Sequence, residues 1–158
     1  MKLKIVFSSV GLFLLLIVSG CGPNFKTDFE PPSPEATIDD IFPQSINNWV
    51  RKIENPKMSF PYKAAIANYG DDRITINAIR SPNKGAADNY FKKAIVPNFD
   101  KMKNHFRGNI NGKWSASGTD NNGRKWFAWV NNNWIFMISG NNPEYFKMAI
   151  DAFKFVEE

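Results

Sequence analysis

Residues 113–139 read KWSASGTDNNGRKWFAWVNNNWIFMIS, and this stretch decides the fold class. Three runs with many aromatic and apolar residues (113–119, 124–130 and 134–139) are separated by two turns, at 120–123 and 131–133. The turns contain asparagine, aspartate and glycine, which tolerate left-handed backbone and suit tight hairpins. The stretch therefore predicts three consecutive antiparallel strands.

Both faces of these strands are apolar, because side chains alternate between the two faces of a sheet. With the registers that the turn lengths suggest, one face carries Trp126, Ala128, Val130, Trp134, Phe136 and Ile138. The other carries Trp114, Ala116, Phe127, Trp129, Ile135 and Met137. A sheet with one wet face would alternate apolar and polar residues, so we expect a helix on each face and mostly buried tryptophans. The alternative leaves part of one face open as a ligand or partner surface formed by Trp114, Trp126, Trp129 and Trp134.

Amphipathic helices are predicted on either side of this stretch. The first begins with Ser81 as N-cap and Pro82 at the first helical position, and its apolar stripe is Ala87, Tyr90, Phe91, Ala94 and Ile95. Pro97 should kink or end this helix. Beyond it the helical period continues and predicts a second segment, to about residue 104, with Phe99, Met102 and Phe106. The last helix begins at Asn142 and its buried stripe is Phe146, Ala149, Ile150 and Phe153.

The chain before the first helix contains further strands. Residues 63–69 and 73–80 form a hairpin, and residues 49–53 alternate with period two as an edge strand. Thr37 resembles the N-cap of a short helix. The order β, β-β, α, β-β-β, α predicts an α+β fold, with a mainly antiparallel sheet of about five to six strands packed by two main helices. This element order is similar to that of the PsbP-like proteins, and the resemblance implies an α-β-α sandwich without implying a function.

The N-terminus carries a signal of a different kind. Lys2 and Lys4 precede an apolar run over residues 5–18, and small residues follow it up to Cys21. Positive, apolar and small segments in this order are typical of a secretory signal peptide. The apolar run of about 14 residues is shorter than the roughly 20 that a membrane-spanning helix needs.

Val18-Ser19-Gly20-Cys21 resembles the lipobox of bacterial lipoproteins, which is cut before its cysteine. The resemblance covers residues 1–22 and implies a diacylglycerol thioether on Cys21, usually with an acylated amino group. It therefore implies attachment to a bacterial membrane through the lipid on Cys21. In that family, Gly22 rather than an aspartate after the cysteine indicates the outer membrane, facing the periplasm or the cell surface, rather than the inner membrane. An ordinary signal peptide with a chance cysteine is the alternative.

Three segments follow from these signals. Residues 1–20 are the predicted lipoprotein signal peptide, residues 21–36 a lipid-anchored, proline-rich tether, and residues 37–158 a single α+β domain. The tether contains four prolines and few apolar residues, and proline favours extended chain. We therefore expect the domain to fold as a monomer without the tether.

Net charge argues against one class of function. The chain has a formal charge of +5, and Lys2 and Lys4 are lost with the signal peptide. The remaining +3 is small for a nucleic-acid-binding domain. Positive residues still concentrate between 92 and 107, either as a solvated face or as a surface for an anionic lipid, polysaccharide or protein: Lys92, Lys93, Lys101, Lys103 and Arg107.

Few side chains are suited to catalysis. His105 is the only histidine and Cys21 the only cysteine, so nucleophilic triads and zinc sites lack components and no intrachain disulfide exists. The adjacent acids at 39–40 and 71–72 fit a helix cap and a turn better than a metal site. We expect no catalytic residue, no metal and no cofactor.

Three functional hypotheses follow. The leading one is a non-enzymatic, lipid-anchored cell-envelope protein whose domain is an interaction or accessory module for another envelope component. The alternative is a module that binds cell-wall or surface glycans with tryptophan and asparagine side chains. A small hydrolase is the third, since paired carboxylates are set in space rather than in sequence.

Overall fold

The computed structural model describes residues 24–59, 61–110 and 112–158. The predicted signal peptide and Cys21 lie outside these residues, so the lipobox and its lipid stay predictions. The helical segments are α1 (Ile38–Ile41), α2 (Lys84–Tyr90), a π-helical segment (Phe91–Ile95), α3 (Val96–Phe99) and α4 (Pro143–Ala152). No helix among the described residues has the length and hydropathy that crossing a membrane requires.

The strands belong to two sheets. They are β1 (Ser45–Ile46), β2 (Trp49–Val50), β3 (Lys52–Glu54), β4 (Lys63–Tyr69), β5 (Ile74–Arg80), β6 (Lys103–Ile110), β7 (Lys113–Thr119), β8 (Lys125–Asn131) and β9 (Trp134–Gly140). β1 and β2 pair as a small hairpin, and the other strands form a seven-stranded sheet in the order β3-β4-β5-β9-β8-β7-β6. Every neighbouring pair in it is antiparallel. The predicted α+β class with a mainly antiparallel sheet is confirmed.

The predicted number of five to six strands is too small. The run 49–53 is divided between β2 and β3, which belong to different sheets, and only β3 lies at the edge of the main sheet. Residues 103–110 form β6, although we expected helix to about Asn104. Asn104 has a φ of 49°, a left-handed conformation that no α-helix contains. The spacing of Phe99, Met102 and Phe106 therefore matched a helical period by coincidence.

Helix caps set where the helices begin. Thr37 forms a capping box at α1 and Asn142 caps α4, as expected. The cap of α2 is Asn83 rather than Ser81, so the predicted start is two residues early. The Ser81 hydroxyl instead donates a hydrogen bond to the Asn133 carbonyl at 2.8 Å and ties the end of β5 to the turn between β8 and β9.

A helical layer packs on each face of the main sheet. On one face α4 contributes Ala149 and Ile150 to the larger apolar core. On the other face the continuous run from α2 to α3 contributes Ala87, Phe91, Ile95 and Phe99 to a second core. The apolar character of both sheet faces is explained by these two layers.

The assignment of side chains to the two faces was wrong by one residue. Asn131 pairs with Trp134, so the turn between β8 and β9 has two residues rather than three, and Val130 lies opposite Ile135. A one-residue slip moves every side chain of a strand to the opposite face. The α4 face carries Phe127, Trp129, Trp134, Phe136 and Ile138. The α2 face carries Trp114, Ala116, Trp126, Ala128, Val130, Ile135 and Met137.

Residues 24–36, here called the N-terminal strap, are not a free tether. The Phe25 ring packs on Phe127 with 4.7 Å between centroids, and the Asn131 amide donates to the Phe29 carbonyl at 2.8 Å. Lys26 forms a β-bridge with Glu157. The tether prediction is wrong for this part of the chain, because its two phenylalanines pack against the larger core.

Candidate ligand-binding cleft

The structure divides the four tryptophans of the predicted surface into two pairs. Trp129 and Trp134 lie in the α4 layer, only 1% and 6% exposed. The Trp134 indole N–H donates to the Pro32 carbonyl at 3.0 Å, so the N-terminal strap covers this ring. Trp114 and Trp126 lie on the other face and are half-buried. Only this second pair is accessible to a ligand.

The cations of the predicted anionic-partner patch are all exposed: Lys92, Lys93, Lys101, Lys103 and Arg107. They are spread over the π-helical segment, the turn after α3 and the edge strand β6. Arg107 Nη1 lies 2.6 Å from Asp100 Oδ2, and Lys92 Nζ lies 5.6 Å from the centre of the Trp114 ring. An anionic partner for this patch stays a prediction.

The residues considered for catalysis or metal binding occupy ordinary structural positions. His105 is exposed on β6, and its Nδ1 lies 3.0 Å from the Met102 carbonyl oxygen. Asp40 caps α1, where the backbone N–H and hydroxyl of Thr37 hold the pKa of the carboxyl below its usual value. Across residues 24–59, 61–110 and 112–158, no three His, Cys, Asp or Glu side chains form a group that could hold a metal.

A cleft of about 320 Å³ opens between the sheet and the helical layer, on the Trp126 side. The sheet contributes Asn77, Ile79, Trp126 and Met137 to its lining. The helical layer contributes Tyr90, Ala94, Ile95, Asn98, Phe99 and Met102. None of these side chains is charged, and most are apolar. The volume is at the lower end of the roughly 300–1,000 Å³ typical of ligand sites.

The π-helical segment brings the polar groups of the helical layer to the same side. Tyr90 and Asn98 are eight positions apart, which in a regular α-helix of about 3.6 residues per turn separates them by roughly 80°. In the wide π turn the Val96 N–H bonds to the Phe91 carbonyl, and this turn contains one extra residue. Tyr90 and Asn98 are therefore oriented nearly like residues seven positions apart in a regular helix, which lie on the same face. Pro97 has no N–H to donate to the helical hydrogen-bond pattern. We expected it to kink or end the helix, and it instead follows the wide π turn, after which the helix continues as α3. Such π turns are frequent at functional sites.

Gly118 allows Met102 to close one side of the cleft. A Cβ at position 118 would lie 2.8 Å from Met102 Cβ, closer than such atoms approach in proteins. Gly118 pairs with Trp126 across β7 and β8. Met102 therefore lies beside the Trp126 ring, and any larger residue at 118 would displace it.

Asn77 is the most informative residue in the cleft. It is 8% exposed, and no hydrogen-bond partner for its side-chain amide is found among the described residues. Nor is the amide sealed off, since only Asp88 Oδ1 and Trp129 Nε1 are fully buried side-chain polar atoms without a partner in this part of the chain. The polar atoms of Asn77 are therefore open to solvent and to a molecule that enters the cleft.

Asn98 offers a second polar group from the opposite wall. Its Nδ2 donates to the Ala94 carbonyl at 2.9 Å, which fixes the orientation of the amide. No donor to Asn98 Oδ1 is found among the described residues, so this oxygen is available as an acceptor. The cleft thus combines a fixed acceptor on the helical side with an amide on the sheet side.

Trp126 is held in a fixed orientation. Its indole N–H donates to Asp120 Oδ2 at 3.2 Å, and the Arg124 guanidinium carbon lies 5.8 Å from the ring centre. Burial alone would raise the pKa of Asp120, but hydrogen bonds from Trp126 and the N–H groups of Arg124 and Asn122 outweigh it and lower this pKa. The carboxylate is therefore ionised at neutral pH and keeps the ring in place.

A polar row borders the cleft at one end of the sheet. Arg124 Nη1 donates to Ser139 Oγ at 2.7 Å and to Thr75 Oγ1 at 3.3 Å, and Thr75 in turn donates to Asn68 Oδ1 at 3.0 Å. Burial lowers the pKa of Arg124, although a guanidinium stays charged at any physiological pH. The row places this positive charge beside the cleft and leaves the lining neutral.

Sequence reasoning singled out Trp126 but missed Asn77, Asn98 and Tyr90, which also line the cleft. One signal was present for Asn77, because it is a polar residue in the middle of the mostly apolar strand Ile74–Arg80, which we placed in the sheet. Comparisons of the chain with protein-family models, curated protein sequences and solved structures gave no match.

Proposed function

We propose that this chain is a lipid-anchored protein of the bacterial cell envelope whose domain binds an uncharged ligand in the cleft and catalyses no reaction. Support for the anchor comes from Val18-Ser19-Gly20-Cys21 after a short apolar run. The small residue after Cys21 favours an outer-membrane location, facing the periplasm or the cell surface. The part played in the envelope is that of an interaction or accessory module.

The observation that carries the binding function is Asn77. An amide that is 8% exposed, without a protein partner among the described residues, lies in a neutral and mostly apolar cleft. Ligand sites combine an apolar lining with a few polar groups that fix orientation. The side-chain amide of Asn77 can both donate and accept hydrogen bonds, so it can fix the orientation of a ligand in this cleft.

A glycan-binding module is the second candidate function, and Trp126 favours it. The half-buried indole lies in the same cleft as two asparagine amides. Aromatic rings supply large apolar area at low entropic cost, while amides form hydrogen bonds to hydroxyl and carbonyl groups. A protein partner would instead use the exposed outer surface, away from this concave site.

The cleft is tested with the mature chain, residues 21–158, carrying Cys21→Ser so that it is soluble without its lipid. Acetamide, phenol and glucose serve as uncharged probes in two-dimensional ¹⁵N–¹H NMR. We expect saturable shifts in the side-chain amide of Asn77 and the indole of Trp126. Asn77→Ala should abolish the acetamide response, whereas Asn121→Ala, in an exposed turn, should not change it. Shifts confined to other surfaces would contradict a ligand-binding cleft.

The anchor is tested separately by the same substitution in cells. Only a thiol can accept the thioether-linked lipid, so Cys21→Ser should leave the chain without acyl chains and release it from the membrane fraction. Mass spectrometry of the N-terminal peptide from the unaltered protein should show a modified Cys21 as its first residue. An unmodified peptide that begins at another residue would contradict the lipoprotein prediction.

A further inference from the structure

We propose that the ligand of the cleft is a sugar residue that carries an N-acyl group. This inference rests on the proposed function, since it specifies the ligand of the same site. Four features of the cleft support it: the absence of charge in the described lining, the two amides on opposite walls, the apolar side chains between them and the fixed indole ring.

The neutral lining favours an uncharged ligand. No Lys, Arg, Asp or Glu contributes to the lining, and Arg124 is engaged by Ser139 and Thr75 at the border. Moving a charge into such a site without a partner costs several kcal/mol or shifts its protonation state. A sugar with an acylated nitrogen is uncharged, whereas a free amino sugar carries a positive charge at neutral pH.

The two asparagines match the two ends of a secondary amide. In a trans amide the C=O and N–H groups point in opposite directions. Asn77 on the sheet side can donate from its free amide to the acyl oxygen. Asn98 on the helical side presents Oδ1 as an acceptor, and the hydrogen bond from its Nδ2 to the Ala94 carbonyl at 2.9 Å holds the amide in that orientation. An amide between the walls therefore satisfies both side chains, while a single hydroxyl group satisfies them less well.

The apolar residues complete the match with the remaining parts of the ligand. Met102 and Met137 offer flexible, polarisable surface for the methyl group of an acyl chain. The Trp126 ring, held by Asp120 at 3.2 Å, offers a flat apolar face for the C–H side of a sugar ring. The volume of about 320 Å³ is within the range of small-molecule sites.

A peptide contains amides as well, but the cleft has fewer hydrogen-bonding groups suited to it. Peptides that bind beside a sheet use the free backbone groups of an edge strand. The strands beneath this cleft, β5, β9 and β8, lie inside the sheet, where each is paired on both sides. No main-chain ladder is therefore open to a peptide at this site.

The inference is tested by isothermal titration of the Cys21→Ser mature chain with four probes. They are N,N′-diacetylchitobiose, cellobiose, which has hydroxyl groups in place of the acetamido groups, glucosamine disaccharide, and N-acetylalanine methylamide as a peptide fragment. We expect the diacetyl disaccharide to bind at least about tenfold more tightly than cellobiose, since one unsatisfied amide costs roughly that factor. Asn77→Ala should bring the two affinities together, and Asn121→Ala should leave their ratio unchanged.

The other outcomes separate this inference from the proposed function. Equal binding of the diacetyl disaccharide and cellobiose would overturn the N-acyl specificity and leave a glycan-binding cleft. Tighter binding of N-acetylalanine methylamide would overturn the sugar in favour of a peptide ligand. Binding of none of the four probes, while acetamide still shifts the Asn77 amide by NMR, would overturn the ligand class alone. The absence of both responses would overturn the binding function itself.

Discussion

Single asparagine residues decide which side chains reach the cleft. In 131–133 all three residues are asparagine, so the sequence permits a two-residue or a three-residue turn. Asn132 adopts a φ of 55° and Asn131 joins the ladder opposite Trp134, which gives the shorter turn. The alternation of side chains between the two faces of each strand was predictable. The register between β8 and β9, however, depends on the length of this turn, which the backbone conformation of Asn132 sets. For that reason Trp126 was placed on the same face as Trp134, although it lies on the opposite one.

The different burial of the tryptophans has a consequence for stability. Trp129 packs against Phe127, Phe136 and Phe153, with ring centres 5.1, 5.4 and 6.0 Å away. Trp129→Ala should lower the free energy of unfolding by about 3–5 kcal/mol, because the lost transfer energy and the cavity add. Trp114→Ala, at a half-buried position, should cost less than half as much. Urea unfolding followed by circular dichroism measures both, and equal losses would contradict the burial of Trp129.

Asp120 gives the domain a dependence on acid pH. Its pKa is lower in the folded state than the unfolded value of about 3.9. The ionised carboxylate therefore contributes stability above about pH 4, and this contribution is lost as the pH falls through the folded pKa. Asp120→Asn keeps the side-chain oxygen for the turn but loses the charge, so it should cost about 1 kcal/mol at pH 7.

The test compares melting temperatures of the two proteins at several pH values. The difference between wild type and Asp120→Asn should be largest near neutral pH and should shrink below pH 4. Asp71→Asn, at an exposed turn position, serves as the control. A difference that stays constant down to pH 2 would show that the carboxylate has no lowered pKa.

At the scale of elements, the sequence predicted those with local signals. The hairpin at β4–β5, the strands β7 to β9 and the start of α4 carry turn residues, alternation or caps that act within a few positions. β6 carries no such signal, because its alternation is interrupted by a β-bulge between Lys103 and Phe106. The π-helical segment could not be predicted either, because the sequence indicates only that Pro97 disturbs the helix.

The close approach of α4 to β9 depends on Gly140. A Cβ at this position would collide with the backbone nitrogen of Phe146, which cannot move without displacing α4. Gly140→Ala should therefore cost about 3 kcal/mol or more, at the upper end of overpacking effects. Thermal unfolding with near-ultraviolet circular dichroism reports both the stability and the packing of the aromatic core.

Gly85 provides a matched control on α2. A Cβ there would meet only Asn83 Oδ1 at 3.4 Å, an ordinary contact. Because glycine within a helix costs roughly 0.5–1 kcal/mol relative to alanine, Gly85→Ala should leave stability unchanged or raise it slightly. If both substitutions destabilise the domain equally, the close contact between Gly140 and α4 is not what holds the helix in place.

At the scale of the whole molecule, the layers were predictable and the cleft was not. Because both faces of the sheet are apolar, each needs a packed helical layer, and this holds even though some residues were assigned to the wrong face. The strand order brings β5 against β9, which are separated by three helical segments and three strands along the chain. The cleft exists where the helical layer meets those strands, so Asn77 and Asn98 come together only through this long-range packing.

The N-terminal strap contributes to the stability of the domain. Phe25 and Phe29 pack against the larger core, and Trp134 hydrogen-bonds to Pro32. Deleting residues 22–36 should lower the free energy of unfolding by about 2–4 kcal/mol, given roughly 1.5–3 kcal/mol for each fully buried aromatic side chain and only partial burial here. The composition of this segment alone predicts instead that the domain folds without it.

The comparison uses the Cys21→Ser mature chain with and without this deletion, unfolded by urea. Phe25→Ala with Phe29→Ala should reproduce most of the loss. Glu30→Ala, at an exposed strap position, should have little effect. An unchanged midpoint for the deletion would restore the original view of a free tether.

The bridge between Lys26 and Glu157 makes the strap a mechanical connection. Lys26 N–H bonds to the Glu157 carbonyl at 2.8 Å, and Glu157 N–H bonds to the Lys26 carbonyl at 3.0 Å. With a lipid on Cys21, the four residues to Phe25 span at most about 14 Å. A force from the membrane on the N-terminus would act along the two antiparallel segments around Lys26 and Glu157. Both hydrogen bonds would then have to break at the same time. The domain would then stay close to the membrane, and its orientation would be coupled to that of the anchor. A long flexible tether would instead let it move and rotate freely.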